Sequence, residues 1–321
     1  MRVSSRMLSR QVMTNLNSLY NDLAKSHTQV STGERFQKAS EDPIRAVRSM
    51  DLSINNERNE QYLTNIDKAR SVYRETEDSL MGVSDSIAGV KDNLLRGLNN
   101  TYNYEDRKVL AKEVEQLKDN IATQLNKEYS GKYYFGGYNT SEAPFSEDDT
   151  TGKMMYNGQI IEDIVETKVD VNDPDAYEDY MKENVFVKTG KSTEIGVSLP
   201  GVDVVGYGED NLFSVLDNII ENLNTDPADM EELNDLTKKT DNYFSKVQNH
   251  ISTVGAKAKN LDVMKGQADA IKVNLTDALS KESDIDIEEA LMNYKTNEMV
   301  YNSALAVSAK IIQPTLIDFL R

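Results

Sequence analysis

The 321-residue sequence contains no cysteine, which removes disulfide staples, thiolate catalysis and cysteine-ligated metals together. It has no tryptophan, and its aromatic content is only 7%, with Tyr outnumbering Phe by 16 to 7. That bias suits side chains with one apolar side and one wet tip. Histidine is scarce as well: His27 and His250 are the only two. Each falls within a predicted long helix, with no Ser or Asp arrangement beside it that helical periodicity leaves unexplained. Each therefore reads as a solvated or seam-edge residue, since a catalytic pair needs converging geometry and a cleft. No apolar run reaches membrane-spanning length. The segment Met1-Arg2-Val3-Ser4-Ser5-Arg6-Met7 leads into a polar amphipathic stretch without the apolar centre or cleavage site of a secretory leader. A soluble chain, not exported by a cleaved signal, is expected.

Positive charge is in deficit. Against 36 Lys and Arg stand 54 Asp and Glu, a formal net charge of -18. Self-repulsion at that level favours solubility and argues against nucleic acid or an anionic membrane as partner. Apolar residues make up 38% of the chain, enough for a core, yet the mean hydropathy of -0.59 is low for a compact globule. A thin helical bundle accounts for this, because its surface is large for its volume.

What is present is a seven-residue apolar repeat. Ile66, Tyr73, Leu80, Ile87 and Leu94 are seven apart, and Tyr62, Ala69, Thr76, Val83 and Val90 supply the second position of the same seam. Such a stripe keeps facing a partner helix only if the two supercoil. The spacing predicts a helix from Ile44 to Leu98, about 80 Å long at ~1.5 Å per residue. A second seam runs through Leu233, Thr240, Val247, Val254, Leu261, Ala268 and Leu275, completed by Phe244, Ile251 and Ala258. Leu110, Val114, Leu117, Ile121 and Leu125 read as a third helix packed on these two. Asp42-Pro43 and Asp226-Pro227 each place a capping carboxylate before a Pro at a first helical position. Gly97 with Asn99-Asn100 marks a break.

Between Gly131 and Gly208 the heptads vanish and strand-like runs take over: Lys132 to Phe135, Lys153 to Tyr156, Ile160 to Val171, Val185 to Lys188 and Glu194 to Leu199. Asn157-Gly158 between apolar runs is a hairpin signal. The fold expected is mainly α with a β-rich insertion: a long antiparallel coiled-coil or helical-bundle rod formed by both chain ends, plus a small β domain. Terminal helices are assigned to 1–43 and 277–321, the helical rod to 44–130 and 209–276, and the β-rich domain to 131–208. Glycine-bounded ends imply that few contacts cross from the insertion into the rod.

Both ends of the chain are amphipathic. Val12, Leu16, Leu19, Leu23 and Val30 form one stripe. Ile287, Leu291, Tyr294, Tyr301, Leu305, Ile312 and Phe319 form the other, interrupted by Glu298. A returning chain lets the two ends lie side by side, and each stripe is longer than the other can cover. The apolar surface left over makes Val12, Leu16, Leu19, Leu23, Leu291, Tyr301, Leu305, Ile312 and Phe319 the candidate assembly interface.

Other motifs carry less. Asp170, Asn172, Asp173, Asp175 and Asp179 suggest calcium, but Pro174 and Asp175 break the EF-hand template. Gly131, Gly136 and Gly137 lack the Gly-Lys-Ser/Thr of a phosphate loop and read as turn residues. Asn139-Thr140-Ser141 fits a glycosylation triplet, a pattern frequent by chance. No cofactor, metal or catalytic site is expected, and the chain does not read as an enzyme.

Several motifs resemble a known family. Val30-Ser31-Thr32-Gly33-Glu34-Arg35, followed by Ala39-Ser40-Glu41-Asp42-Pro43, is similar to the signature near the N-terminus of the bacterial flagellin family. Gly255-Ala256 with Asn260-Leu261 resembles the element in that family's returning helix, and Asp284-Ile285-Asp286 through Leu320-Arg321 its C-terminal helix. Tyr133-Tyr134-Phe135-Gly136-Gly137-Tyr138 and Pro144-Phe145 look like the branch found at the hook–filament junction rather than flagellin itself, and Asp42-Pro43 leans the same way. Glu34 stands where the family usually has Lys or Arg, and residues 162–191 are longer and more acidic than its pattern.

The resemblance implies a structural subunit that joins hook to filament, secreted to the extracellular flagellum without a cleaved signal. Its implied partners are further copies of itself in a ring, an adjacent hook-associated protein on the hook side, flagellin on the filament side, and an export chaperone at the C-terminal helix. Paired terminal helices would line the channel, and the β domain would face outward. The rival within the family is a flagellin filament subunit. An extracellular coiled-coil adhesin would instead carry a signal peptide or an anchor.

Overall fold

The computed structural model describes residues 5–99, 102–137, 139–148, 151–164 and 185–312, with helix ends 5–6 and 310–312 described for backbone only. Seven α-helices are formed among them: α1 Ser5–Thr32, α2 Pro43–Gly97, α3 Tyr104–Leu125, α4 Gly201–Val205, α5 Leu212–Leu223, α6 Met230–Ser283 and α7 Ile287–Ile312. The short strands are β1 Glu128–Tyr129, β2 Lys132–Tyr133, β3 Phe145–Glu147, β4 Met154–Tyr156, β5 Gln159–Ile160, β6 Phe186–Lys188 and β7 Glu194–Gly196. By contacts the chain divides into two units, residues 60–269 and residues 1–59 with 270–321.

In the unit 60–269, the heptad seams are the core. Ile66, Leu80, Ile87 and Leu94 of α2 are fully buried, as are Leu233, Thr240, Val247 and Leu261 of α6. The second positions differ between the two helices: Val83 and Val90 are sealed, while Phe244, Ile251 and Ala258 are half-buried. The helices run antiparallel, as their flanking pairs show. Lys265 meets Asp67 at 2.7 Å, Arg70 meets Asp262 at 2.7 Å, Gln248 donates to Ser84 at 2.8 Å and Lys91 meets Asp241 at 2.6 Å. Exposed pairs of this kind add little energy. They fix register while the seam supplies the burial.

The third helix packs as expected. Leu110, Val114, Ile121 and Leu125 of α3 are buried. Its start is a capping box, with Asn103 Oδ1 accepting from the Asp106 amide at 2.9 Å and the Asp106 carboxylate accepting from the Asn103 amide at 3.2 Å. Helix α5, absent from the sequence reading, lies against α3. Asn211 caps it at Ser214, and Leu212, Val215, Leu216, Ile219 and Leu223 are buried.

Three expectations are corrected. Asp42-Pro43 does begin α2, with Asp42 Oδ1 accepting from the Arg45 amide at 3.1 Å. Asp226-Pro227 begins no helix: the cap of α6 is Asp229, which accepts from the amides of Glu231 at 2.9 Å and Glu232 at 3.1 Å. The Asp226 carboxylate instead receives the buried Arg107 guanidinium at 3.2 Å. Of the run from Ile160 to Val171, residues 161–164 are not strand, and 165–171 lie outside the described residues. The chain leaves β5 directly for a 3-10 turn at Ile161–Asp163, because the buried Ile161 must turn into the core.

The third correction concerns the insertion. Its strands form three small antiparallel sheets, β1-β2, β3-β4-β5 and β6-β7. Asn157-Gly158 makes the two-residue turn between β4 and β5, both residues having positive φ, 49° and 82°, as a hairpin turn of this length requires. These sheets are not loosely attached. The Phe145 ring lies 5.7 Å from that of Phe213 in α5, and Asn126 at the end of α3 exchanges two hydrogen bonds with the Phe145 backbone, at 2.7 and 2.8 Å. Tyr73 of α2 donates to the Gly196 carbonyl at 2.5 Å, and Asn65 donates to that of Lys188 at 2.8 Å. His250 is half-buried with Nε2 3.1 Å from the Asp203 carbonyl, and burial lowers its pKa. Gly201 is required by this packing, since a Cβ there would lie 2.5 Å from the Phe145 ring. The expectation of few crossing contacts fails because strands this short lack a core of their own.

Two measurements follow. Leu80→Ala and Leu261→Ala should each lower the free energy of unfolding by about 2–5 kcal/mol, and Phe145→Ala should lower the melting temperature read from the helical circular dichroism; melts matching the parent would refute the shared core. The second is alkaline. Burial pushes the phenols of Tyr73 and Tyr243 up to about 12, while in the unfolded chain they ionise near the ordinary 10.0. The stability they contribute is complete below that value and is lost as pH rises toward 12. A Tyr73→Phe, Tyr243→Phe variant should lose less stability over that interval than the parent.

Candidate functional site: the terminal helix pair

The unit made of residues 1–59 and 270–321 contains α1, the first part of α2, the last part of α6, and α7. Helix α1 stops at Thr32 because Gly33 takes a positive φ of 77°, a conformation other residues adopt only at a cost. The backbone then stitches to the turn between α6 and α7. The Arg35 amide donates to the Ser283 carbonyl at 2.7 Å, and the Ile285 amide donates to that of Gly33 at 3.0 Å. Asp286 caps α7, accepting from the Glu288 amide at 3.0 Å, and Glu288 and Glu289 complement the helix dipole in the first turn.

From that turn α7 returns along α1, antiparallel to it. The Tyr20 ring lies 6.1 Å from that of Tyr301, the His27 ring 5.7 Å from that of Tyr294, and Asn297 Nδ2 donates to Ser26 Oγ at 3.2 Å. The face of α1 so covered is Val12, Leu16, Leu19, Leu23 and Val30, all half-buried, with Ser26 buried among them. On α7 the covered face is Tyr294, Asn297, Tyr301, Ala304 and Ser308. Its small and polar members let the helices approach but bury little apolar area.

The candidate residues therefore divide. Val12, Leu16, Leu19, Leu23 and Tyr301 are brought together in the seam between α1 and α7, while Leu291 and Leu305 stay exposed at 44% and 42%. Phe319 and the side chain of Ile312 lie outside the described residues. The sequence reading missed a second exposed apolar set: Met7, Leu8 and Met13 on α1, Ile44, Val47, Met50 and Ile54 on α2, and Met292, Met299, Val300 and Val307 on α7. Val47, Met50 and Ile54, spaced three and four apart, already had the pattern of an uncovered helical stripe.

The contrast with the other unit is large. Ala46 is the one buried hydrophobic residue among the described residues of the terminal unit, whereas buried hydrophobics run from Ile66 to Ala268 in the other. Phe36, Ala39, Ala46, Met50 and Leu279 help line an open groove of about 390 Å³. His27 is exposed beside Tyr294. Among the described residues no group of three or more His, Asp and Glu could hold a metal, and no helix is long and apolar enough to cross a membrane. The acidic run from Asp170 to Asp179 lies outside the described residues.

Comparison with known proteins agrees with this architecture. Residues 3–140 match the bacterial flagellin N-terminal helical region. The flagellar hook-associated protein 3 of Escherichia coli strain K12 is 26% identical over 324 aligned positions, covering 97% of this chain and 95% of that protein. Its Salmonella typhimurium namesake is 31% identical over 153, covering 47% of this chain and 48% of that protein. Among solved structures, a candidate flagellar hook-associated protein from Vibrio parahaemolyticus superposes with a TM-score of 0.64 at 19% identity, covering 76% of this chain and 100% of that one. FlgL from Xanthomonas campestris does so with a TM-score of 0.57 at 15% identity, covering 70% and 98%. These structures share the fold. Residues 3–140 are thus similar to the flagellin N-terminal helical region, and the chain is similar over nearly its whole length to flagellar hook-associated protein 3.

Proposed function

We propose that this chain is a structural subunit of the bacterial flagellum at the hook–filament junction, and that it assembles through its terminal helices. The observation that carries the reading is the uncovered apolar surface of the terminal unit, set beside the sealed seams of residues 60–269. A surface of that size on an otherwise acidic, soluble chain needs cover, and other copies of the same unit supply a matching face. Full-length similarity to hook-associated protein 3 favours a junction subunit over a filament flagellin.

In this reading segments 1–43 and 277–321 are the assembly core, 44–130 and 209–276 the helical rod, and 131–208 the β-rich outer domain. The partners are further copies in a ring, a hook-associated protein on one side, flagellin on the other and an export chaperone before assembly. The chain works outside the cell, having left through the flagellar export channel without a cleaved signal. It has no catalytic role.

The test is addition of purified protein to isolated hooks. Leu305→Asn, on the exposed face of α7, should leave the helical circular dichroism and melting temperature of the parent unchanged while reducing incorporation onto hooks to near background. Normal incorporation of this variant would count against assembly through α7. Failure of the parent to reach the hook at all would count against the junction.

A further inference from the structure

The methionines among the described residues are unevenly placed. Met7, Met13, Met50, Met292 and Met299, all in the terminal unit, are between 52% and 68% exposed. In residues 60–269, Met154, Met155, Met230 and Met264 are half-buried, and Met81 is 46% exposed. Met292 and Met299 are seven apart on α7 and share a stripe, and Met50 borders the groove beside Phe36, Ala46 and Leu279. An unbranched thioether suits an apolar surface that must adapt to more than one neighbour. It is also the one apolar side chain that a mild oxidant converts to a polar one.

We propose that these five methionines are oxidation sites whose conversion to sulfoxide by a peroxide blocks assembly of the terminal unit. The inference rests on the junction reading given above. In the reaction a sulfur lone pair attacks one peroxide oxygen and the O–O bond breaks. The sulfur gains that oxygen and is oxidised, and the second oxygen leaves as water after taking up the proton. The new S=O group is a hydrogen-bond acceptor, and burying it against an apolar neighbour without a donor is unfavourable. The helices themselves are untouched, because the oxidised side chains point into solvent in the free protein. Sulfoxide reductases reverse the change.

The experiment treats the full chain with graded hydrogen peroxide and locates the added oxygen by peptide mass spectrometry. Met7, Met13, Met50, Met292 and Met299 should be oxidised before Met154, Met230 and Met264, with the circular dichroism unchanged. Treated protein is then added to isolated hooks, and the incorporated and excluded fractions are analysed separately. Sulfoxide at the five positions should be depleted from the incorporated fraction, sulfoxide at Met81 should be equal in both, and methionine sulfoxide reductases should restore incorporation. Equal oxidation rates at covered and exposed methionines would overturn the proposal, as would an incorporated fraction as rich in the five sulfoxides as the excluded one. Failure of untreated protein to incorporate would overturn the junction reading instead, and the order of oxidation would still decide whether the sites are distinct.

Discussion

Burial along the antiparallel seam between α2 and α6 is the interaction on which the rest of the structure depends. In residues 60–269 it takes Ile66, Leu80, Ile87, Leu94, Leu233, Val247 and Leu261 out of water entirely. Helix α3 and helix α5 then cover its open side, and the small sheets rest on α2, α3 and α5 through Tyr73, Asn126 and Phe213. Each added layer uses surface that the seam has already ordered. Two-residue and three-residue strands could not persist without that support.

The same two helices continue into the terminal unit, where the logic reverses. Val47, Met50 and Ile54 of α2 lie outside the heptad frame of Ile66 and Leu80 and form a second, exposed apolar stripe. Helices α1 and α7 meet through a narrow seam whose α7 side is Tyr, Asn, Ala and Ser. Such a contact fixes direction and register without burying much apolar surface. An isolated helix pair of this kind gains little against the entropy of ordering its residues. The sequence has kept a thin internal contact and left a broad external one, which is the composition expected of a surface completed by neighbours.

Much of this was legible from residue spacing. Strict seven-residue periodicity located α2 and α6, apolar residues three and four apart located α3, and Asn157-Gly158 located the β4–β5 turn, because all three signals are local. Helix α5 escaped although Leu212, Val215, Leu216, Ile219 and Leu223 follow helical spacing behind an Asn cap, since it is only 12 residues long and forms no heptad seam. The attachment of the insertion was not legible at all. Phe145 reaches Phe213 across 68 positions of sequence, and no local pattern encodes such a contact. For the terminal helices the sequence located the apolar positions but not their orientation. Tyr294 and Tyr301 turn toward α1 while Leu291 and Leu305 turn away, because the seam follows the small residues Ala304 and Ser308 rather than the most apolar ones.

If neighbouring copies complete the terminal helices, those helices take their order from assembly, whereas the α2–α6 seam is ordered by its own burial. Amide hydrogen exchange on the free full-length chain and on the chain seated on hooks tests this most directly. The account predicts fast exchange through α1 and α7 in the free protein, slow exchange from Ile66 to Leu94, and a gain of protection in α1 and α7 on assembly. Protection of α1 and α7 in the free protein equal to that of the seam, or no gain when seated, would contradict it.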